Sequence, residues 1–406
     1  MKAPKAAISD AAEIYLGGTP SRQVESFWGG SIKWASARDI ASVDGRYIYS
    51  TEETITDSGL KKSAAKLLPR NTIVITARGT VGAMCLLGEA MTFNQSCYGL
   101  IARLDVDQHY LYYAVKNSVE ELNSLSYGTV FDTITKKTFD SALISLPPLP
   151  IQQRIAEILG RLDDKIEVNR RINRTLEAMA QALYKEWFVD FGPFQDGEFV
   201  ESELGLIPKG WGVKGLSEVY NLTMGTSPKS EFYNEEGNGL PFHQGVSDFG
   251  ERFPTHRRYC TVTERLAAQG DLLFSVRAPV GRMNIADTKL VIGRGLAAMN
   301  HKLGFNSFLL YQMKEHFKKE DSIGSGTIFQ AVSKSDLEKV LLIVPTISAM
   351  QRFDQMIQRI DRQIEVCYRE NAQLAATRDY LLPRLLSGAL SVAAGVEMAG
   401  GVPVGA

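Results

Sequence analysis

The sequence predicts an α+β fold: two similar mixed α/β domains in a pseudo-twofold arrangement, separated by a pair of long antiparallel coiled-coil helices. The first observation is a repeat. Ile73–Met84 is answered by Leu272–Met283 at an offset of 199, and Gly128–Phe131 by Gly326–Phe329 at 198. The same 198 carries Pro147 to Pro345, Gln153-Arg154 to Gln351-Arg352 and Asn173 to Asn371, while Gly17–Ser21 meets Gly225–Lys229 at 208. The second observation is that each copy closes on a long stretch whose apolar positions recur about every 3.5 residues, the period of a coiled coil. A repeat this long excludes a solenoid and leaves a duplicated domain. Such a chain suits a partner with twofold symmetry, of which duplex DNA is the commonest.

In order, the chain divides into a first domain (1–150), a first spacer helix (151–190), a linker (191–210), a second domain (211–346), a second spacer helix (347–390) and a flexible tail (391–406). Within the domains, β-rich runs (72–76 and 142–146; 272–276 and 340–344) alternate with turn-rich stretches and helical patterns such as 110–125. That is the mark of small sheets with long loops. Pro147-Pro148-Leu149-Pro150 is expected to block strand and helix alike, so the spacer begins after it. Its seam runs through Ile155, Leu159, Leu162, Ile166, Asn169, Asn173 and Leu176. The second seam runs through Phe353, Ile357, Ile360, Ile364, Asn371 and Leu374.

Either stripe alone would lie exposed, so the helices should pack on each other, antiparallel if a twofold relates them. Asn173 and Asn371 hold matching seam positions. Buried, they would fix register at some cost in stability; at a wet edge they would not. About 33 residues at 1.5 Å each make a rod of roughly 50 Å. The first helix carries seven basic and seven acidic residues, a balance that suits a spacer better than a helix lying in the major groove.

Composition narrows the function. With 44% hydrophobic residues, 22% charged residues and a net charge of −1, the chain is not one that coats nucleic acid by charge alone. Residues 1–150 hold 15 basic and 15 acidic side chains, and residues 205–346 hold 17 and 14. No run of eighteen apolar residues and no signal-peptide core occur. The cysteines (Cys85, Cys97, Cys260, Cys367) lack CxxC spacing, so a cytoplasmic chain without disulfides or metal is expected. There is no GxxxxGK[ST] phosphate loop, HExxH or GxSxG. Gly293-Arg294-Gly295 weakly resembles a dinucleotide loop, but the aligned 94–99 lacks the pattern. A non-catalytic chain with no cofactor of its own is expected.

The run from Pro147 to Met179, with its Ile151-Gln-Gln-Arg-Ile-Ala-Glu-Ile-Leu159 opening, followed by Trp187-Phe-Val-Asp-Phe191, resembles the central spacer of type I restriction–modification specificity subunits. Gly17–Ser21, Arg78–Gly82, Phe242–Tyr259 and Gly270–Gly281 extend the resemblance to nearly the whole chain. It implies two target recognition domains, each reading one half of a bipartite DNA target, with the helices setting the gap. It also implies two modification (methyltransferase) subunits that bind S-adenosylmethionine and methylate adenine, and restriction subunits driven by ATP and Mg. Those cofactors belong to the partners. The helical segment that precedes the first domain in the family is nearly absent here.

For contacts with DNA, the glycine-flanked Arg78 and Thr80 and the matching Arg277 each follow a β-run. Such an arginine either grips a phosphate or guanine, or pairs with a carboxylate inside its own domain. Because both copies carry it, phosphate positioning is expected rather than base reading. Base readers are expected where the copies differ: Trp34, Ser36, Arg38, Tyr47 and Tyr49 in the first, and His243, Gln244, Arg252, His256, Arg257, Arg258 and Tyr259 in the second. The alternative for 252–259 is a solvated charged loop. Gly128-Thr129 and Ser325-Gly326-Thr327, followed by Lys136-Lys137 and Lys334, offer small hydroxyls and bare amides for phosphates or simply form turns. The rival to a DNA reader is a coiled-coil adaptor that binds proteins.

Overall fold

A computed structural model describes residues 3–126, 133–322 and 331–400. The chain forms two compact units. One combines Met1–Arg171 with Cys367–Ala406, and the other is Ile172–Val366. Each is taken by itself below.

In the first unit, strands β1 (Ala12–Leu16), β2 (Trp28–Ala35), β3 (Ile73–Thr76), β4 (Met84–Leu87), β5 (Thr92–Phe93) and β6 (Cys97–Ala102) precede helix α1 (Gln108–Asn117). β1, β6, β3 and β4 pair antiparallel in that order, with Ala12 opposite Ala102 and Ile73 opposite Leu100. The Ile-Val-Ile run of β3 is wholly buried because both faces of the sheet are covered. Side chains alternate across a strand, so Ile73 and Ile75 join one core with Tyr110 and Leu111 of α1, and Val74 joins another with Leu87 and Phe93.

The second unit repeats this arrangement. β7 (Tyr220–Met224), β8 (Leu240–His243), β9 (Leu272–Ser275), β10 (Met283–Ile285), β11 (Leu290–Ile292) and β12 (Leu296–His301) correspond to β1–β6. Tyr220 lies opposite His301 and Leu272 opposite Met299, the same registers shifted by the repeat. The short parallel pairing also recurs: Ala35 opposite Phe93, and His243 opposite Ile292.

Two long helices complete the units. Leu149–Phe188 spans 40 residues and Ile347–Ser387 spans 41. Each is longer than the seam suggests. Pro150 does not block the first of them; it lies in the opening turn, where its missing N–H would have had no partner. In the first unit, fully buried Leu159 and Leu162 share a core with Leu381 and Leu385. Arg378 meets Asp163 at 2.7 Å, and Lys165 meets Glu370 at 3.5 Å. Rising numbers on one helix meet falling numbers on the other, so the pairing is antiparallel. In the second unit, Phe188 and Tyr184 pack on Phe353, with ring centroids 5.0 and 5.8 Å apart.

The seam side chains are placed as follows. Ile155, Leu159, Leu162, Ile166, Asn173, Phe353, Ile357 and Ile364 are buried; Leu176, Ile360, Asn371 and Leu374 are half-buried. Asn169 of the seam donates to Asn371 Oδ1 at 3.0 Å and to Glu370 at 2.7 Å. Asn173 is buried with its Oδ1 unpartnered. The stretch read as a flexible tail contains a helix, Val392–Met398, capped by Ser391. Its Gly395 packs closely on the side-chain tips of Leu385 and Ile158.

Candidate nucleic-acid interface

At one end of each sheet, five chain segments are tied together by backbone hydrogen bonds, and the ties are the same in both units. In the first, Gly17 N–H donates to Cys97 O (3.1 Å), Gly18 to Phe93 O (2.9 Å), Asn94 to Ala35 O (3.0 Å), Ala77 to Ser96 O (2.7 Å) and Ile134 to Ala77 O (3.2 Å). In the second, Gly225 donates to Leu296 O (2.9 Å), Thr226 to Ile292 O (3.1 Å), Gly293 to His243 O (2.8 Å), Val276 to Gly295 O (2.9 Å) and Val332 to Val276 O (2.8 Å). The glycine of each Gly-Thr/Ser-Pro turn is required. A Cβ on Gly17 would overlap Asn94 O, and one on Gly225 would overlap Gly293 O.

The arginine loops rise from this frame. Thr76 Oγ1 bonds the carbonyl oxygen of Thr80, and Ser275 Oγ bonds that of Pro279 at 2.7 Å, so a strand-end hydroxyl braces each loop from below. Gly82 (φ 87°) and Gly281 (φ 84°) close the loops in the left-handed region. Arg78, Thr80 and Arg277 are exposed, and among the described residues neither guanidinium has a hydrogen-bond or ion-pair partner. Residues 134 and 332 lead into short helices Lys136–Ser141 and Lys334–Glu338. Exposed Lys136, Lys137 and Lys334 therefore follow directly on segments bonded to the arginine loops, Lys334 standing 3.5 Å from Glu338. Thr129 and Thr327 lie outside the described residues.

Three of the expected base readers are corrected. Trp34 is 3% exposed, packs with Ile55, and donates its indole N–H to Gly18 O at 2.9 Å, so it anchors the glycine turn. His243 is buried and its Nε2 lies 3.0 Å from Nδ1 of His256, whose Nε2 in turn faces Asp287. Burial and the neighbouring His256 push its pKa down to about 4, leaving the ring neutral. Arg252 has a buried side chain that meets Glu177 at 2.7 Å, Tyr311 Oη at 3.1 Å and Asp361. Burial opposes its charge, and Asp361 with its neighbours more than offsets that, raising the pKa. It is a fastening to the long helices, unavailable to a base.

Of the rest, Ser36 caps the helix Ala37–Ala41 through Asp39, Arg38 and Gln244 are exposed, and Tyr49 is exposed while Tyr47 is half-buried. Arg257 is exposed 3.5 Å from Asp248, and Arg258 stands 5.9 Å from the Tyr233 ring. The sequence reading missed Arg46, which bonds Tyr113 Oη (3.2 Å) and Asp164. It is the backbone counterpart of Arg252: Arg46 O accepts from Leu86 N–H and Arg252 O from Ile285 N–H, both at 2.8 Å. A shared arginine-aromatic pair, Arg46-Tyr47 and Arg252-Phe253, was the available signal.

Two like units on paired long helices, each presenting a braced cationic loop, define a duplicated binding module, and comparison with known proteins gives its family. The model of the type I restriction modification DNA specificity domain matches residues 5–178 and 208–376. The chain belongs to the family of type I restriction–modification specificity subunits. It is similar to the type I restriction enzyme MjaIX specificity subunit of Methanocaldococcus jannaschii, 30% identical over 401 residues, covering 95% of this chain and 93% of that one. A putative type I restriction enzyme MjaX specificity subunit of the same organism is 32% identical over 304 residues, covering 71% and 69%. The crystal structure of a type I restriction–modification S subunit from M. genitalium shares the fold, with a TM-score of 0.57 at 17% identity, covering 94% of this chain and 96% of that one. No described helix is long and apolar enough to cross a membrane.

Proposed function

We propose that this chain is the DNA-reading subunit of a cytoplasmic type I restriction–modification complex and performs no chemistry itself. Residues 1–150 and 211–346 each read one half of a bipartite duplex target. The spacers, 151–190 and 347–390, joined by the 191–210 linker, set the gap and carry two modification subunits and the restriction subunits. One observation supports this reading above the others: the units repeat one loop frame, atom for atom in its backbone bonds, yet surround it with different exposed side chains. That is what two readers of different words require. Arg78, Thr80, Lys136 and Lys137, and Arg277 and Lys334, hold phosphates, where a shared charge fixes position without specifying sequence. Arg38, Gln244, His256, Arg257 and Arg258 lie nearer the variable contacts.

The test is a methylation map of a host carrying this chain and its modification subunits. A bipartite motif with a fixed gap is expected. Adding residues symmetrically to both helices should change the gap and leave both half-sites alone. Methylation without a motif, or a complex that assembles but shifts no duplex, would favour the adaptor reading.

A further inference from the structure

The crest of the turn before β6 and β12 carries different side chains on one backbone. Gln95 lies between Asn94 and Ser96, and Arg294 lies between Gly293 and Gly295. Their neighbours make the same ties in each unit: Asn94 and Gly293 donate to the β2 and β8 ends, and Ser96 and Gly295 accept from the arginine loop. The glycine-turn hydroxyl reaches both positions, Thr19 to the Gln95 side chain and Ser227 to the Arg294 N–H at 3.2 Å. In the second unit the turn is pressed flat, since a Cβ on Gly293 or Gly295 would run into the backbone of Gln244. Both side chains are exposed, and among the described residues the Arg294 guanidinium has no hydrogen-bond or ion-pair partner.

The glutamine amide and the guanidinium differ in what they recognise. A guanidinium presents two parallel donors that match guanine O6 and N7, whereas a glutamine amide offers one donor and one acceptor and matches adenine N6 and N7. Arg78 and Arg277 are identical in the two units and cannot encode a difference. The crest residue stands on the same frame beside them and does differ. We propose that this position determines specificity, with Arg294 requiring a guanine in one half-site and Gln95 an adenine in the other. The proposal rests on the DNA-reading function above.

The test uses the full chain co-expressed with its modification subunits, comparing wild type, R294Q and Q95R by methylation mapping. Mobility shifts on duplexes carrying each base pair at each half-site position give a second readout if methylation is lost. R294Q should relax or switch one guanine position in one half-site, cutting discrimination there roughly 10- to 100-fold, with the other half-site unchanged. Q95R should alter only the other half-site. An unchanged motif in R294Q overturns the proposal, whether binding is undiminished or uniformly weaker, because uniform weakening would mark a phosphate contact. A wild-type chain that shows no motif at all would instead sink the DNA-reading function itself.

Discussion

The two units fasten their loops to the long helices with the same device, built to different strengths. In the first, Arg46 meets Tyr113 and a single carboxylate, Asp164, whose side chain is 67% exposed, while its own Nε is buried without a partner. In the second, Arg252 meets Tyr311 and two carboxylates, Glu177 and Asp361, each 23% exposed, with Lys314 completing the cluster at Glu177. The duplicated backbone kept the arginine, the tyrosine and one aspartate, Asp163 answering Asp361, but Asp163 bonds Tyr113 Oη at 2.6 Å and Arg378 at 2.7 Å, leaving Asp164 to meet Arg46. Fold and fastening can thus be inherited together while the energy of the fastening drifts.

Arg252→Met should destabilise the second unit by roughly 3 kcal/mol, the low end for breaking a buried pair, because the half-buried Asp361 loses its cation while Glu177 keeps Lys314. Arg46→Met should cost the first unit clearly less. Hydrogen exchange, read separately on peptides from each unit, would break the comparison by finding equal losses. A control of similar size comes from the helix cores, where Leu159 and its repeat partner Ile357 are both fully buried. Changing either to Ala should cost about 2–5 kcal/mol by denaturant melting, and similar values would show that the seam, unlike the fastening, kept its strength.

The units should also differ in acid. His243 and His301 of the second unit both have pKa values held down to about 4 by burial, with His256 adding to the effect on His243. An unfolded histidine takes a proton near pH 6.5, so between roughly 6.5 and 4 the unfolded state binds more protons. The stability that each histidine contributes is complete above that window and is lost as pH falls through it, by about 3 kcal/mol for His243. Exchange at pH 5 should loosen the second unit first, and His243→Gln should blunt the effect. The smallest expected change is Asn169→Ala, at about 1 kcal/mol from the lost bonds to Asn371 and Glu370.

Much of this was legible in the sequence. The duplication showed because glycines and prolines with strict backbone duties, such as Gly17 and Gly225, recur at fixed offsets. The long helices showed because their apolar stripe is dictated by packing. Side-chain roles were harder to read. Arg252 looks like a DNA contact in a basic, aromatic stretch, and nothing local reveals that Glu177, 75 residues earlier, neutralises it. Asn173 and Asn371 align by repeat, which says nothing of their partners; antiparallel geometry sets Asn169 opposite Asn371. Arg294 was visible only as part of a false nucleotide motif, until the fold put it beside the arginine loop.

One feature of the architecture bears on how the molecule is made. The second unit is a continuous stretch, 172–366, whereas the first draws Leu381, Leu382 and Leu385 from the far end of the chain into the core that Ile8 and Tyr110 begin. On the ribosome, the first unit must therefore wait with an open apolar face until residues 381–385 have followed the whole of the second unit. A premature stop between residues 366 and 381 would spare the second unit and leave the core of the first exposed.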